Sequence, residues 1–129
     1  MNIPGDLKYT KNDEWIRVEG NVGTVGITDY AQSQLSDIVY VEIVVSDGDL
    51  VKKGGSCATI ESVKAAADVY MPVSGKIVAV NEALPATPEM VNQDPYGGAW
   101  MVKVEISEPG ELDDLMGAPG YEKNLQEKE

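Results

Sequence analysis

Apolar and polar positions along this chain alternate in short bursts, and the bursts are punctuated by Gly, Pro, Asn and Asp. That rhythm predicts many short strands joined by tight turns. Tyr9, Trp15, Ile16 and Val18 surround the polar centre Thr10–Glu14, which reads as a short strand, a turn and a strand from Trp15 to Val18. Gly20-Asn21 is a turn signal between Trp15–Glu19 and Val22–Ile27, so these two runs pair as an antiparallel hairpin. Thr28 or Asp29 can cap a short helix through Ser36, with Tyr30, Ala31, Gln34 and Leu35 at helical spacing. Ile38–Val44 is a β-branched strand, broken by Ser46-Asp47-Gly48-Asp49, and Leu50-Val51 is a short edge.

After the turn Lys53-Gly54-Gly55, the run Ser56–Glu61 rises to Lys64 and Ala66–Met71 descends from it. Pro72 ends that arm. Val73–Lys76 reads as a turn into the strand Ile77–Val80, with Gly75 expected at positive φ. Asn81–Pro85 is a loop, and Thr87–Val91 is expected to form one capped helical turn with Pro88 at its first position. Trp100–Ile106 alternates as a final strand. From about residue 108 to 128 the pattern turns helical: Leu112, Leu115 and Met116 share a face, and Tyr121–Lys128 can add a turn or two. Such a tail is expected on a sheet edge. The whole reads as a mainly β protein, a small sandwich or barrel with short helices and a C-terminal helix, in one domain over residues 1–129. Gly54 and Gly75 stand at similar distances from Lys64, a hint of quasi-two-fold organisation too weak to count as a repeat.

Composition narrows the chemistry. Acids outnumber bases by 22 to 10, for a net charge of −12, which argues against nucleic acid and anionic membrane as partners. There is no histidine, which removes Ser-His and Cys-His nucleophiles and most zinc sites. The single cysteine, Cys57, cannot form an intrachain disulfide and falls in a predicted strand as a packing residue. No catalytic residue and no metal site is expected. No apolar run approaches the roughly 20 residues needed to span a bilayer. Residues 1–6 carry neither a basic-then-apolar leader nor an Arg-rich transit segment, so a bacterial cytoplasm is expected, or a mitochondrial matrix for a trimmed chain. A monomer is expected.

The stretch Ala58–Tyr70 stands apart, because its bend, Ser62-Val63-Lys64-Ala65, lacks the Gly, Pro or Asn that usually makes a hairpin turn. A catalytic lysine needs burial or a neighbouring cation to lose its proton. Lys64, on a tip beside Ser62 and Ala65 with Glu61 near, stays charged and solvated. That is poor for Schiff-base chemistry and suits an amine presented to a modifying enzyme, away from the eight other lysines.

Glu61-Ser62-Val63-Lys64-Ala65 closely resembles the lipoylation site of the glycine cleavage system H protein family. The resemblance runs on through Leu7-Lys8-Tyr9, Glu14-Trp15, Val25–Asp29, Ala31-Gln32 and Leu35, then Pro72–Gly75, Val80-Asn81, Pro95-Tyr96, Gly98 and Trp100. It implies a lipoyl-domain-like hybrid barrel-sandwich with a lipoyl hairpin at about residues 56–71. It also implies a non-catalytic carrier with lipoic acid in amide linkage on Lys64. The implied partners are a pyridoxal-phosphate glycine decarboxylase, a tetrahydrofolate-dependent aminomethyltransferase, the FAD enzyme dihydrolipoamide dehydrogenase, and a lipoyl ligase or transferase. The carried group is the aminomethyl group of glycine. By the same resemblance Glu61 and Gly75, with Ser62, Val63 and Ala65 of the bend, serve ligase recognition. Glu14, Asp68 and Asn12 match positions near a cleft where the loaded arm docks. An acid-lined, partly dry cleft suits a cationic adduct that water would destroy. The chain departs from the family at Asp13, Tyr30 and Gln34, where relatives carry histidine. Rival readings are an H-like lipoyl relay, and a biotin carrier, whose lysine is flanked by Met where this chain has Val63 and Ala65. An unmodified binding module is a third.

Overall fold

The computed structural model describes residues 2–128 and builds the short strands into two antiparallel sheets. Met1 and Glu129, the ends of the expected 1–129 domain, lie outside the described residues. In chain order the strands are β1 (Lys8–Tyr9), β2 (Glu14–Glu19), β3 (Val22–Ile27), β4 (Ile38–Ile43), β5 (Leu50–Val51), β6 (Ser56–Ser62), β7 (Ala66–Tyr70), β8 (Gly75–Val80) and β9 (Val102–Ile106). The helices are α1 (Asp29–Leu35), α2 (Met90–Gln93) and α3 (Ala118–Lys128). One sheet has the order β1-β2-β3-β9-β8-β5 and the other β4-β6-β7.

The strands face each other because their alternation puts one apolar row on each inner surface. Ile16, Val25, Ile77 and Val104 from the larger sheet share one core with Val41, Ile60 and Val69 from the smaller. Each fully buried side chain of this kind contributes roughly 1.5–3 kcal/mol. Cys57 is buried in that core, and desolvation pushes its thiol up to about 12, so it packs rather than reacts. A second cluster of Leu7, Tyr9, Trp15, Tyr96, Tyr121 and Leu125 lies under α3. There the Tyr9 and Tyr121 rings stack 4.6 Å apart and the helix closes the β1 edge, as the amphipathic tail predicts. Gly26 sits opposite Trp15 in the β2–β3 register; a Cβ there would lie 2.7 Å from the indole ring. Among the described residues no helix is long and apolar enough to cross a membrane.

Three local expectations are corrected. Gly75 does not adopt a positive φ; it is the first residue of β8, paired with Val51 and Ile106. It is glycine for a long-range reason: a methyl group would collide with the Glu105 carbonyl oxygen and lie 2.8 Å from Val104 Cγ2. Gly54, at φ +88°, is the one of the pair that makes a turn, so the two are not equivalent. The helical turn expected at Thr87–Val91 lies later, at Met90–Gln93, with Glu89 as an N-cap whose side chain makes no capping bond. Residues Leu84–Ala86 form a 3-10 turn with Pro85 in its first positions, and the Thr87 hydroxyl donates back to the Ala83 carbonyl. In the tail, Pro109–Asp114 is 3-10 rather than α-helical. Met116 then exchanges two backbone hydrogen bonds with Tyr9, which pulls the chain out straight before α3 begins.

The close approach at Gly75 predicts that Gly75→Ala loses about 3 kcal/mol, because backbone cannot yield as a side chain can. Gly110, with nothing within 4 Å of its added Cβ, is the control. Urea denaturation should show a clear fall in midpoint for Gly75→Ala and almost none for Gly110→Ala.

Candidate functional site

The bend at the end of β6 and β7 closes without a left-handed residue: none of residues 62–65 has a positive φ. The Ser62 hydroxyl does the work that glycine does elsewhere. Its oxygen accepts from the backbone N–H of Lys64 at 3.1 Å and of Ala65 at 2.9 Å. It also donates to the Ala65 carbonyl at 3.1 Å, and the Ser62 N–H donates to the same oxygen at 2.8 Å. This is a serine turn in which a side chain satisfies amides that a bend leaves orphaned. The Val63 N–H donates to the Asp37 carbonyl at 3.0 Å, which ties the tip to the α1–β4 connection. Asn92 of α2 fixes that connection in turn, accepting from the Ile38 N–H and donating to the Ser36 carbonyl. Lys64 is exposed at the tip, and its ammonium makes one long contact of 3.5 Å to the Gln34 carbonyl.

A second feature lies where β7 ends. Glu14 is only 2% exposed and is the one buried carboxyl among the described residues. It is not the surface acid that composition alone would make it. Its Oε1 accepts from the Thr10 hydroxyl at 2.5 Å and its Oε2 from the Tyr70 N–H at 3.1 Å. Desolvation raises its pKa above the usual carboxylate value, against these two hydrogen bonds. Thr10 organises the loop much as Ser62 organises the tip, accepting from the N–H of Asn12 and of Glu14. Asp13, between them, stands at φ +68°. Glu14 and Asn12 line a cleft of about 240 Å³ with Thr10, Lys53, Tyr70 and Leu115. Lys53 and Asp114 face each other at 3.0 Å in its wall, an exposed pair that contributes about 0–1 kcal/mol.

The residues singled out in the sequence thus divide into groups. Glu61, Ser62, Val63, Lys64 and Ala65 meet at the tip. Glu14 and Asn12 meet in the cleft. Asp68 does not line the cleft. The strand alternation turns Val69 inward and Asp68 outward, where its carboxylate accepts from Thr59 at 3.2 Å on the exposed face of the smaller sheet. Gly75 is buried in the other sheet, where it packs against β9 rather than standing at the tip. Thr10, Tyr70, Lys53 and Leu115 were not picked out beforehand. Thr10, four residues before a glutamate and ahead of a strand, carried a signal; the others are brought in by tertiary contact.

The family model described as glycine cleavage H-protein matches residues 7–128. The glycine cleavage system H protein of Carboxydothermus hydrogenoformans is 53% identical over 126 residues, covering 98% of this chain and 96% of that protein. The one from Staphylococcus haemolyticus is 50% identical over 127 residues, covering 98% of this chain and 100% of its own. The crystal structure of a glycine cleavage system H protein from Mycobacterium marinum superposes with a TM-score of 0.87 at 37% identity, covering 96% of this chain and 99% of that one.

The tip geometry predicts that Ser62→Ala loosens the bend by about 1 kcal/mol. Amide exchange at Lys64 and Ala65 should quicken about fivefold while the core amides hold. For Glu14 the sign follows from its raised pKa. The folded state holds this proton more tightly than the unfolded chain, so stability falls as pH rises from about 4.3 through the folded value. Glu14→Gln should therefore raise the thermal midpoint at pH 7 and leave it nearly unchanged at pH 3, as calorimetry at the two pH values would show.

Proposed function

The chain belongs to the glycine cleavage H-protein family, and from that premise we propose that Lys64 takes lipoic acid in amide linkage. The protein is a lipoyl carrier of the glycine cleavage system, a non-catalytic subunit that shuttles the aminomethyl group of glycine between enzymes. Its working partners are the pyridoxal-phosphate decarboxylase, the tetrahydrofolate-dependent aminomethyltransferase and dihydrolipoamide dehydrogenase, and a lipoyl ligase or transferase loads it. The reading puts the chain in the compartment of those enzymes, the cytoplasm for a bacterial chain. Bound at Lys64, lipoic acid supplies a dithiolane that carries the aminomethyl carbon and a two-electron couple that the dehydrogenase resets.

The residues on this chain suit that group. The observation that carries the reading is the exposed primary amine on a bend whose Lys64 and Ala65 amides are turned inward onto Ser62 while the Val63 amide is held by Asp37. The amine is presented at a fixed place with the lysine side chain as its only loose part. Glu61 stands exposed directly below the bend, opposite Ala66, as a feature for the loading enzyme to read. The cleft fits a cationic end of the arm. Its buried Glu14 carboxylate, oriented by Thr10 and Tyr70, offers a charge partner in a place poor in water. A cation arriving there favours the charged carboxylate, opposing the desolvation that raises its pKa.

Incubation with lipoate ligase, lipoate and ATP, followed by intact mass, tests the assignment. Wild type should gain one lipoyl increment and Lys64→Arg none, with unchanged circular dichroism. An increment on folded Lys64→Arg would overturn it.

A further inference from the structure

β4 carries a bulge beside the tip. Ile38 pairs with Ser62 and Tyr40 with Glu61, so two residues of β4 advance while one of β6 does, and Val39 is the extra residue. A bulge breaks the in-and-out alternation and turns two consecutive side chains the same way. Here it turns Val39 and Tyr40 outward between the buried Ile38 and Val41. Val39 is 54% exposed, Tyr40 45% and Val63, on the bend, 69%. Strand alternation alone would have hidden Val39 or Tyr40. The bulge gives up a buried side chain to set apolar surface at the foot of Lys64. The patch is rigid, because Asn92 holds the start of β4 and Asp37 holds Val63. Its rim is acidic: Asp37, Glu42 and Glu61 are all exposed around it.

We propose that Val39, Tyr40 and Val63 form the docking patch for the enzyme that attaches the lipoyl group, and that this enzyme meets it with an apolar surface rimmed by basic residues. The proposal rests on Lys64 being the attachment site. Reach selects this occupant over the others. The loading enzyme must bring its reacting carbonyl to the lysine nitrogen itself, one side chain away from the tip, so its surface must touch the shoulders of the bend. Enzymes that work on the dithiolane meet the far end of a much longer arm and have no need to touch β4. Acidic rim charges give on-rate and orientation to a basic partner, while the apolar centre supplies affinity.

The test compares apo wild type, V39T/Y40T, Leu50→Thr and Lys64→Arg as substrates of lipoate ligase, by intact-mass time courses. Threonine keeps strand propensity while removing the large apolar groups. Leu50, 85% exposed on β5, is the distant control. The expected result is a fall of about tenfold in kcat/KM for V39T/Y40T, carried by KM, with Leu50→Thr unchanged. KM for wild type should rise with salt. Unchanged amide protection at Lys64 and Ala65 in V39T/Y40T would show that docking, not the bend, was lost. Wild type modified at Lys64 with V39T/Y40T modified equally fast overturns this proposal and leaves the attachment site standing. Wild type that stays unmodified overturns both. Chemically lipoylated V39T/Y40T that is reoxidised tenfold more slowly by dihydrolipoamide dehydrogenase would assign the patch to that enzyme and overturn the proposal. So would a wild-type dimer in sedimentation that the double variant abolishes.

Discussion

Two hydroxyl groups, on Ser62 and Thr10, hold the working parts of this protein in shape. Each sits where the chain turns sharply, and each collects two backbone N–H groups that the turn would leave without partners. The effect differs at the two places. At the tip, the Lys64 and Ala65 amides face inward, so the lysine side chain extends from a closed bend. In the cleft loop, the same device leaves the Thr10 proton free to bind Glu14, so loop closure and carboxylate orientation are one event. Glycine would have permitted either turn, but it would have left more backbone freedom to lose on folding and no side-chain acceptor.

The buried acid shows what the fold gives up to keep a site ready. Glu14 is desolvated, with a hydroxyl and one amide as its compensation. A structural role alone would be better served by a neutral group of the same shape. Tyr70 joins the cleft to the tip through the hairpin. β7 begins beside the bend and ends by donating to Glu14, so one strand connects the presented amine with the acid.

Most strands were legible because they are short β-branched or apolar runs bounded by turn residues; Gly20-Asn21 marks the β2–β3 hairpin without ambiguity. Thr28 was readable as a helix cap and accepts from the Ala31 N–H as a cap should. The misreadings share a cause. Gly75 is glycine because β9 comes close, not because its own backbone bends left, and a single strand's sequence holds no record of its neighbour. The bulge at Val39 is equally invisible, since Ile-Val-Tyr-Val reads as strand whichever residue is extra. The Ser62 turn lay in between: the absence of glycine was plain, while the hydroxyl that replaces it became evident only from the bend's geometry. Asp68 shares its side of β7 with Tyr70 but stands two residues nearer the tip, so Tyr70 lines the cleft and Asp68 does not.

The C-terminal helix belongs to the site and is more than a cover for an edge. The Tyr121 hydroxyl has one proton, and it goes to Asp13 at 2.9 Å. Thr28, 2.7 Å away, must then be the donor to Tyr121, while its own oxygen accepts from Ala31. The order runs from the α1 amide through Thr28 and Tyr121 to the Asp13 carboxylate, the two hydroxyls each with one bond given and one received. Burial and the Asp13 charge both push the Tyr121 phenol up, so its proton stays in place across ordinary pH. Asp13 is the left-handed residue directly before Glu14, a conformation that costs free energy for a side chain with a Cβ. The phenol offsets that cost from the far end of the sequence. Without α3 in place, the loop would lose its reason to hold Asp13 in that conformation, and Glu14 would lose the approach that aims it at Tyr70. The buried acid thus depends on the last helix, through Asp13, as much as on the hairpin strand whose Tyr70 amide it accepts from.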